Sequence, residues 1–113
     1  MSDTIFGKII SGDIPSEFIY EDEHCIAIND VNPQAAVHVL VIPKKAIPRL
    51  VDAGEEDQAL LGHLMLAVTR VAEQLGVADA FRVVINNGSD AGQTVFHLHL
   101  HIIAGQIFRE DKL

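Results

Sequence analysis

The strongest structural pattern in this chain is the run Phe96-His97-Leu98-His99-Leu100-His101-Ile102-Ile103, in which histidine and aliphatic residues alternate over three cycles. Side chains of a β-strand point alternately to its two faces. A strand over residues 95–103 would therefore carry three imidazoles on one face, with successive rings about 7 Å apart. The aliphatic face predicts packing on a hydrophobic core, and the histidine face predicts a functional surface.

The rest of the sequence predicts two helices and four more strands. Ser2 or Asp3 is expected to cap a short helix that runs through Ile10 and stops at Gly12. A long helix is expected over residues 55–75, where an apolar stripe recurs at helical spacing: Leu61, Leu64, Met65, Val68, Ala72 and Leu75. Apolar and β-branched runs bounded by turn residues predict strands over residues 17–20, 25–29, 37–42 and 81–85.

The order of these elements indicates the fold class. Connections of hairpin length at both ends of the chain favour antiparallel pairing with helices packed on the sheet. We predict an α+β fold with a largely antiparallel five-stranded sheet, one long helix and one short helix. A chain of 113 residues is long enough for one core and too short for two, so a single domain over residues 1–113 is expected.

Composition and charge limit the class of protein. Apolar residues make up 49% of the chain and charged residues 21%, as in globular domains. The net charge of -8, with basic residues clustered only at Lys44-Lys45, argues against binding to duplex nucleic acid. The longest near-apolar stretch, residues 35–43, is too short to span a bilayer, the N-terminus lacks a signal-peptide pattern, and there is one cysteine. These features predict a cytoplasmic protein that binds neither nucleic acid nor membranes.

Three histidines on one strand face allow three interpretations. A solvent-exposed face could carry them by chance, although Thr, Lys or Glu would serve there equally well. Two of them could bind zinc with His38 as a third ligand. Against zinc, the sequence shows no carboxylate beside the strand to orient such ligands, and Cys25 is distant along the chain. The third interpretation is nucleophilic and acid–base catalysis at a phosphate.

Catalysis at phosphorus suits a cluster of imidazoles. A neutral imidazole attacks phosphorus when its other nitrogen is held as an N–H donor. Close imidazoles lower one another's pKa, so the cluster is expected to mix neutral and protonated rings that supply a nucleophile and donors to phosphate oxygens. The glycine-containing loop over residues 88–94 can form a nest of backbone N–H groups for an anion, and its position beside the histidines favours this over the alternative of an ordinary tight turn.

Residues 97–103, His-Leu-His-Leu-His-Ile-Ile, resemble the signature of the histidine triad superfamily. Residues 3–11, 20–43, 61–65 and 86–101 resemble its nucleotide-binding branch, so the similarity covers most of the chain. The resemblance implies a homodimer of α+β protomers that binds purine nucleotides and acts as a purine nucleoside phosphoramidase. Such an enzyme hydrolyses adenosine 5'-phosphoramidates, including aminoacyl-AMP and lysyl-AMP types, to AMP through a covalent nucleotidyl-histidine. No metal and no cofactor are implied.

The resemblance also assigns roles by position. The middle histidine, His99, is the expected nucleophile, and His101 is the expected phosphate contact. The pair that supports and polarises the nucleophile would be His97 and His38. The phosphate and the leaving group would meet Asn86, Gly92, Gln93 and Thr94, with the Thr94 hydroxyl as a donor. Asp30, otherwise a plain turn residue, would accept the ribose hydroxyls. The base would enter an apolar slot formed by Ile5, Phe6, Ile9, Ile28 and Val31.

Three residues outside these motifs have simpler interpretations. His24 falls in a predicted turn and His63 on the long helix, and both are expected to be structural or solvated. Gly62 lowers helix propensity by about 1 kcal/mol relative to alanine, which suggests close packing there, such as helix against helix in a dimer.

Other functions compete with the phosphoramidase. A dinucleoside polyphosphate hydrolase of the same superfamily would cleave an anhydride, although such members are generally longer. A uridylyltransferase of the galactose-1-phosphate branch is disfavoured, because that branch has glutamine where this chain has His101. A nucleotide-binding regulator with incidental turnover and a structural zinc protein are the remaining alternatives.

Overall fold

A computed structural model of the protein describes residues 4–113, in which five strands form one antiparallel sheet. The strands are β1 (Tyr20–Glu21), β2 (Cys25–Asn29), β3 (Val37–Pro43), β4 (Phe81–Val84) and β5 (Leu100–Ala104), and the helices are α1 (Ile5–Ser11) and α2 (Gln58–Gln74). The strand order is β1-β2-β3-β5-β4, and all four neighbouring pairs are antiparallel. The predicted α+β class, the five-stranded sheet and the two helices are confirmed.

The sheet lies between the two helices. On one face, strand residues pack against α2 in a core that includes Cys25, Ala27, Val39, Val41, Leu64, Val68, Leu100 and Ile102. The other face packs against α1 in a smaller core of Phe6, Ile9, Ile26, Ile28, Leu40 and Ile42. Directly paired residues share a face, and Leu40 is paired with both Ile28 and His101. The register therefore places His101 on the α1 face.

Helix α1 is short and has a cap at each end. Thr4 is its N-cap, and the Thr4 hydroxyl accepts a hydrogen bond from the Gly7 N–H at 3.1 Å. Gly12 ends the helix with a φ of 88°, a conformation that glycine adopts without strain. The prediction of Ser2 or Asp3 as the N-cap is wrong, because the helix begins at Ile5 and the residue before it takes the capping position. Both predicted residues lie outside the described part of the chain.

Helix α2 begins at Gln58, after a 3-10 turn over Glu55–Asp57, rather than at Glu55. The sequence predicts Met65 on the buried stripe, but its side chain is 50% exposed. Met65 follows the buried Leu64 by one residue and is therefore rotated about 100° away from it. The buried face consists of Leu64, Ala67, Val68, Val71 and Ala72.

Gly62 lies on the exposed side of α2. A Cβ at this position would meet no atom of the described residues within 4 Å, so the close packing expected there is absent within the protomer.

Neither helix in residues 4–113 combines the length and the apolar character needed to cross a lipid bilayer.

Strand β5 begins at Leu100, whereas the sequence predicts a start at Val95. The β3–β5 ladder ends at the pair Val41–Leu100, before β3 itself ends at Pro43, and residues 95–99 are irregular. This segment is anchored instead by the Leu98 N–H, which donates to the Ile47 carbonyl at 2.6 Å. The predicted alternation persists without the strand. Three aliphatic side chains enter the α2 core, namely Leu98, Leu100 and Ile102, while the rings of His97 and His99 contact Phe6 of α1.

Candidate active site

His99 is held so that one ring nitrogen carries a proton and the other a lone pair. Its side chain is 8% exposed, and its ring packs edge-on against Phe6 with 4.9 Å between ring centroids. The Nδ1 atom lies 2.7 Å from the His97 carbonyl oxygen. Because a carbonyl oxygen can only accept, the hydrogen bond assigns the proton to Nδ1. The lone pair of the neutral ring is therefore on Nε2.

His101 and His38 form a second arrangement with fixed tautomers. The Gln34 backbone N–H donates to His38 Nδ1 at 2.9 Å, which places the His38 proton on Nε2. His38 Nε2 then donates to His101 Nδ1, also at 2.9 Å, and the His101 proton lies on its own Nε2. Within residues 4–113 that buried Nε2 has no hydrogen-bond partner. The ring centroids of His101 and His99 are 5.0 Å apart, so the ring that carries this N–H donor lies beside the His99 ring.

His97 supports His99 through its backbone. The buried His97 ring donates from Nε2 to the Pro43 carbonyl oxygen at 2.7 Å. This hydrogen bond fixes the position of His97, whose backbone carbonyl accepts the hydrogen bond from His99 Nδ1. The resemblance pairs His97 with His38 as supports of the nucleophile. In the structure, His97 holds His99 directly, whereas the His38 ring hydrogen-bonds to His101.

Burial lowers the pKa of His97, His99 and His101 below the usual histidine value of 6.5. The loss of hydration of the charged ring is the largest cause for each of them. The neighbouring His99 and His38 lower the pKa of His101 further, to about 4. The sequence predicts mixed protonation caused by mutual repulsion, and the structure corrects this. The three rings are neutral near pH 7 chiefly because they are buried, and their donors are neutral N–H groups.

The depressed pKa of His101 predicts that the protein loses stability in mild acid. Between pH 6.5 and about 4 the unfolded chain binds a proton at this ring that the folded chain does not. Stability is therefore complete above pH 6.5 and falls as the pH drops through this window, with a slope of up to about 1.4 kcal/mol per pH unit for one group. Urea unfolding at about pH 7 and about pH 4.5 should show a smaller loss for His101→Gln than for the wild type. Equal losses in the two proteins would contradict the assigned shift.

His99 and His101 open into a cavity of about 420 Å³ between the sheet and α1. Its walls bring together nine of the residues that the sequence assigns to a nucleotide: Ile5, Phe6, Ile9, Ile28, Asp30, Val31, Thr94, His99 and His101. Val31 is fully exposed at the cavity rim. A larger cavity of about 490 Å³, lined by the C-terminal segment and Arg82, contains none of the histidines. The cavity of about 420 Å³ is therefore the candidate site, because it joins an apolar slot to the rings of His99 and His101.

A model of the HIT domain matches residues 11–107 of the chain. The chain belongs to the HIT domain family. The histidine triad membership predicted from the sequence is thereby confirmed. A HIT-like protein of Synechocystis sp. is 61% identical over 106 residues, which cover 94% of this chain and 93% of that protein.

Solved structures of HIT proteins have the same fold. A HIT family hydrolase from Legionella pneumophila superposes with a TM-score of 0.91 at 35% identity, over 96% of this chain and 97% of the other. A HIT family hydrolase from Clostridium thermocellum gives a TM-score of 0.90 at 45% identity, over 94% and 93% of the two chains.

The loop before the HIT histidines is closed by its own hydrogen bonds. The Gln93 side chain accepts from the Gly88 N–H at 2.8 Å and donates to the carbonyls of Pro48 and Val95. The N–H groups of Ala91, Gly92 and Gln93 donate to carbonyls inside the loop. The expected nest of free N–H groups is therefore wrong for these four amides, those of Gly88, Ala91, Gly92 and Gln93. Gln93 shapes the loop and does not line the 420 Å³ cavity.

Asn86 lies in a second, smaller cavity of the HIT domain. This cavity, of about 200 Å³, is lined by Gln34, His38, Val84, Asn86, His101 and Ile103. Gly92 lies beside it, since a Cβ on Gly92 would be 3.7 Å from the Asn86 amide nitrogen. His101 lines both cavities, so a ligand that spans them would pass this ring.

Asp30 brings a carboxylate to the histidine pair. One of its oxygens accepts from the Asn32 N–H at 2.8 Å, and the other lies 3.3 Å from His38 Nε2. Asp30, His38 and His101 offer ligand atoms within 4.8 Å of one another and could hold a metal ion. The expectation that no carboxylate lies near the histidines is wrong, because Asp30 directly follows β2 and its N–H donates to the His38 carbonyl.

Several residues at the candidate site are not predicted from the sequence. Gln34 acts through its backbone N–H, which leaves no signal in residue type. Gly12 redirects the chain after α1, and this turn brings three of its successors to the cavity, namely Ile14, Pro15 and Ser16. Leu40 and Val95 line the cavity as well and could have been found from the alternation of β3 and of the histidine run.

Proposed function

We propose that this protein is a purine nucleoside phosphoramidase that hydrolyses adenosine 5'-phosphoramidates, including aminoacyl-AMP and lysyl-AMP types, to AMP. The observation that carries the proposal is the tautomer of His99. Its Nδ1–H is fixed on the His97 carbonyl at 2.7 Å, which leaves the Nε2 lone pair as a nucleophile. The resemblance to HIT family hydrolases of known structure supports a hydrolytic reaction.

The proposed reaction has two displacement steps at phosphorus. In the first, the hydrogen-bonded His38–His101 pair takes up one proton from solvent as the anionic substrate binds, and His99 Nε2 attacks the α-phosphorus. The P–N bond breaks, the departing amine takes the Nε2 proton of His101, and the histidine pair returns to its neutral state. In the second, water attacks the phosphorus of the nucleotidyl-His99, a water proton returns to His101, and AMP leaves. Asp30 and the bound phosphate both favour protonated His101 against the effect of burial on its pKa. The His97 carbonyl stabilises the positive ring of the intermediate.

The cavity supplies the parts needed to bind a purine nucleotide. Its volume of about 420 Å³ lies in the range of small-molecule sites. We assign the purine to the apolar slot and the ribose hydroxyls to Asp30, whose carboxylate oxygens can only accept. Thr94, at the same cavity, is assigned as a donor to the phosphate, and Asn86 as a contact to the leaving group. Gly92 and Gln93 hold the loop that carries Thr94.

Hydrolysis of an adenosine 5'-phosphoramidate, with and without excess EDTA, tests this function. Because imidazole supplies the nucleophile and N–H groups supply the donors, AMP release is expected to be independent of metal. Loss of activity in EDTA and its recovery with zinc would favour a metal at Asp30, His38 and His101. A diadenosine polyphosphate cleaved faster than the amide would favour the anhydride hydrolase. AMP binding without turnover of either substrate would favour a nucleotide-binding regulator.

We also propose a homodimer that pairs through the exposed side of α2 and works in the reducing cytoplasm. Leu66 is 57% exposed, next to the exposed Met65 and one helical turn from Gly62, where the backbone allows close approach. Light scattering should give the mass of a dimer for the wild type, and Leu66→Glu should shift it towards the monomer. Ile107→Glu, at another exposed apolar residue, serves as the control. A monomeric wild type would contradict the dimer.

A further inference from the structure

A second group of metal-ligating side chains lies on the α2 side of the sheet, away from the histidine triad. Asp22 lies in the turn between β1 and β2, Cys25 begins β2, and His63 projects from α2. Their ligand atoms all lie within 4.8 Å of one another. Cys25 belongs to the core beneath α2, whereas His99 faces α1, so the sheet separates the two groups.

We propose that Asp22, Cys25 and His63 bind one zinc ion. Thiolate, imidazole and carboxylate are all zinc ligands, and a thiolate disfavours magnesium and calcium. The side chains of Asp22 and His63 are 23% and 26% exposed, whereas Cys25 is fully buried. An ion therefore enters from the surface and meets the sulfur at its inner side. Water takes the fourth position of the tetrahedron.

Binding requires only small movements of these side chains. His63 Nε2 lies 2.7 Å from one Asp22 oxygen, and the Cys25 sulfur lies 3.5 Å from the other. Zinc bonds of about 2.0–2.3 Å separate neighbouring ligand atoms by more than 3 Å, so the contact between His63 and Asp22 opens around the ion. The thiol proton is released to solvent, and the His63 proton moves to Nδ1 so that Nε2 coordinates. The thiolate and the carboxylate then balance the double positive charge.

The surroundings of Asp22 orient its carboxylate for this role. The Tyr20 hydroxyl donates to Oδ2 at 2.8 Å, and the N–H groups of His24 and Cys25 donate to Oδ1 at 2.8 and 3.0 Å. Hydrogen bonds of this kind fix ligating carboxylates in metal sites. These three contacts lie within the β1–β2 hairpin, and the contact of Asp22 with His63 ties that hairpin to α2. Metal titration distinguishes the two roles.

Cobalt(II) titration of the full-length protein tests the proposal, because a cobalt–thiolate site gives a charge-transfer band. The chain has one cysteine, so such a band reports Cys25 alone and cannot arise from Asp30, His38 and His101. We expect one equivalent of cobalt to produce the band and zinc to displace it. Cys25→Ser should abolish the band, and His63→Gln should weaken cobalt binding at least about tenfold.

His24→Gln is the matched control, because the His24 ring packs on His63 at 4.8 Å but lies outside the ligand set. Circular dichroism establishes that each variant is folded. His24→Gln should bind cobalt as the wild type does. No thiolate band in the folded wild type, or a band that His63→Gln leaves unchanged, would overturn the zinc site. Neither result depends on the phosphoramidase activity.

Discussion

Replacing His99 with alanine is expected to lower AMP formation from an adenosine 5'-phosphoramidate by about 10³-fold or more, as the loss of an essential nucleophile does in other enzymes. The side chain contributes the only atom assigned to attack phosphorus, Nε2, and no other ring holds its lone pair in the same place. His101 Nε2 carries a proton, and His97 donates from Nε2 to Pro43. Rates measured under single-turnover conditions would isolate the chemical step from product release.

Two controls make the His99→Ala result specific. His24→Ala removes an imidazole that contacts His63 and lies outside the cavity, and it should retain wild-type turnover. Binding of AMP to His99→Ala should persist, because the apolar slot and Asp30 remain. Turnover by His99→Ala within about tenfold of the wild type would mean that water attacks the substrate directly, without a covalent step.

Replacing Ile102 with alanine is expected to destabilise the protein by about 2–5 kcal/mol, the range for truncating a buried isoleucine. Ile102 is 0% exposed and pairs with Val39 on β3 and Val83 on β4, in the middle of the sheet under α2. The truncated side chain leaves a cavity. Because β5 is hydrogen-bonded to a strand on each side, the backbone cannot move enough to fill that cavity. The loss is a large fraction of the total stability of a small domain, which is about 5–15 kcal/mol.

Ile107→Ala is the matched control, because Ile107 is 95% exposed. The same chemical truncation there should change the free energy of unfolding by less than about 0.5 kcal/mol. Urea unfolding of both variants at neutral pH provides the comparison. Similar losses at the two positions would contradict the assignment of Ile102 to the core.

The sequence predicts those parts of the fold that depend on local pattern. The apolar runs of β2 and β3 and the alternation around His99 are visible in residue type, and the structure shows both. The start of β5 at Leu100 is not visible, because the preceding segment leaves the β3 ladder and the Leu98 N–H donates to the Ile47 carbonyl, which is distant in sequence. The exposure of Met65 depends on which residues of α2 face the sheet. The apolar stripe of α2 is wider than the face that contacts the sheet, so the sequence does not show that Met65 lies outside this face.

The candidate site shows the same division. Residue types and the family resemblance predict most of the residues that line the cavity, because the side chains of residues such as Phe6 and Asp30 are visible in the sequence. The tautomers depend on the backbone N–H of Gln34, which every residue type except proline has, and on the backbone carbonyl of His97, which every residue type has. The proximity of Asp30 to His38 follows from chain geometry at the end of β2. Burial lowers the pKa of His97, His99 and His101, and this burial depends on the packing of α1 against the sheet, which the sequence does not show directly.

Mass spectrometry of the protein quenched during turnover of an adenosine 5'-phosphoramidate tests whether His99 is the nucleophile. We expect an adenylyl group attached to the peptide that contains His99, formed within the first turnover and absent from His99→Ala. AMP production without any adduct on His99, or an adduct on a different residue, would contradict His99 as the nucleophile.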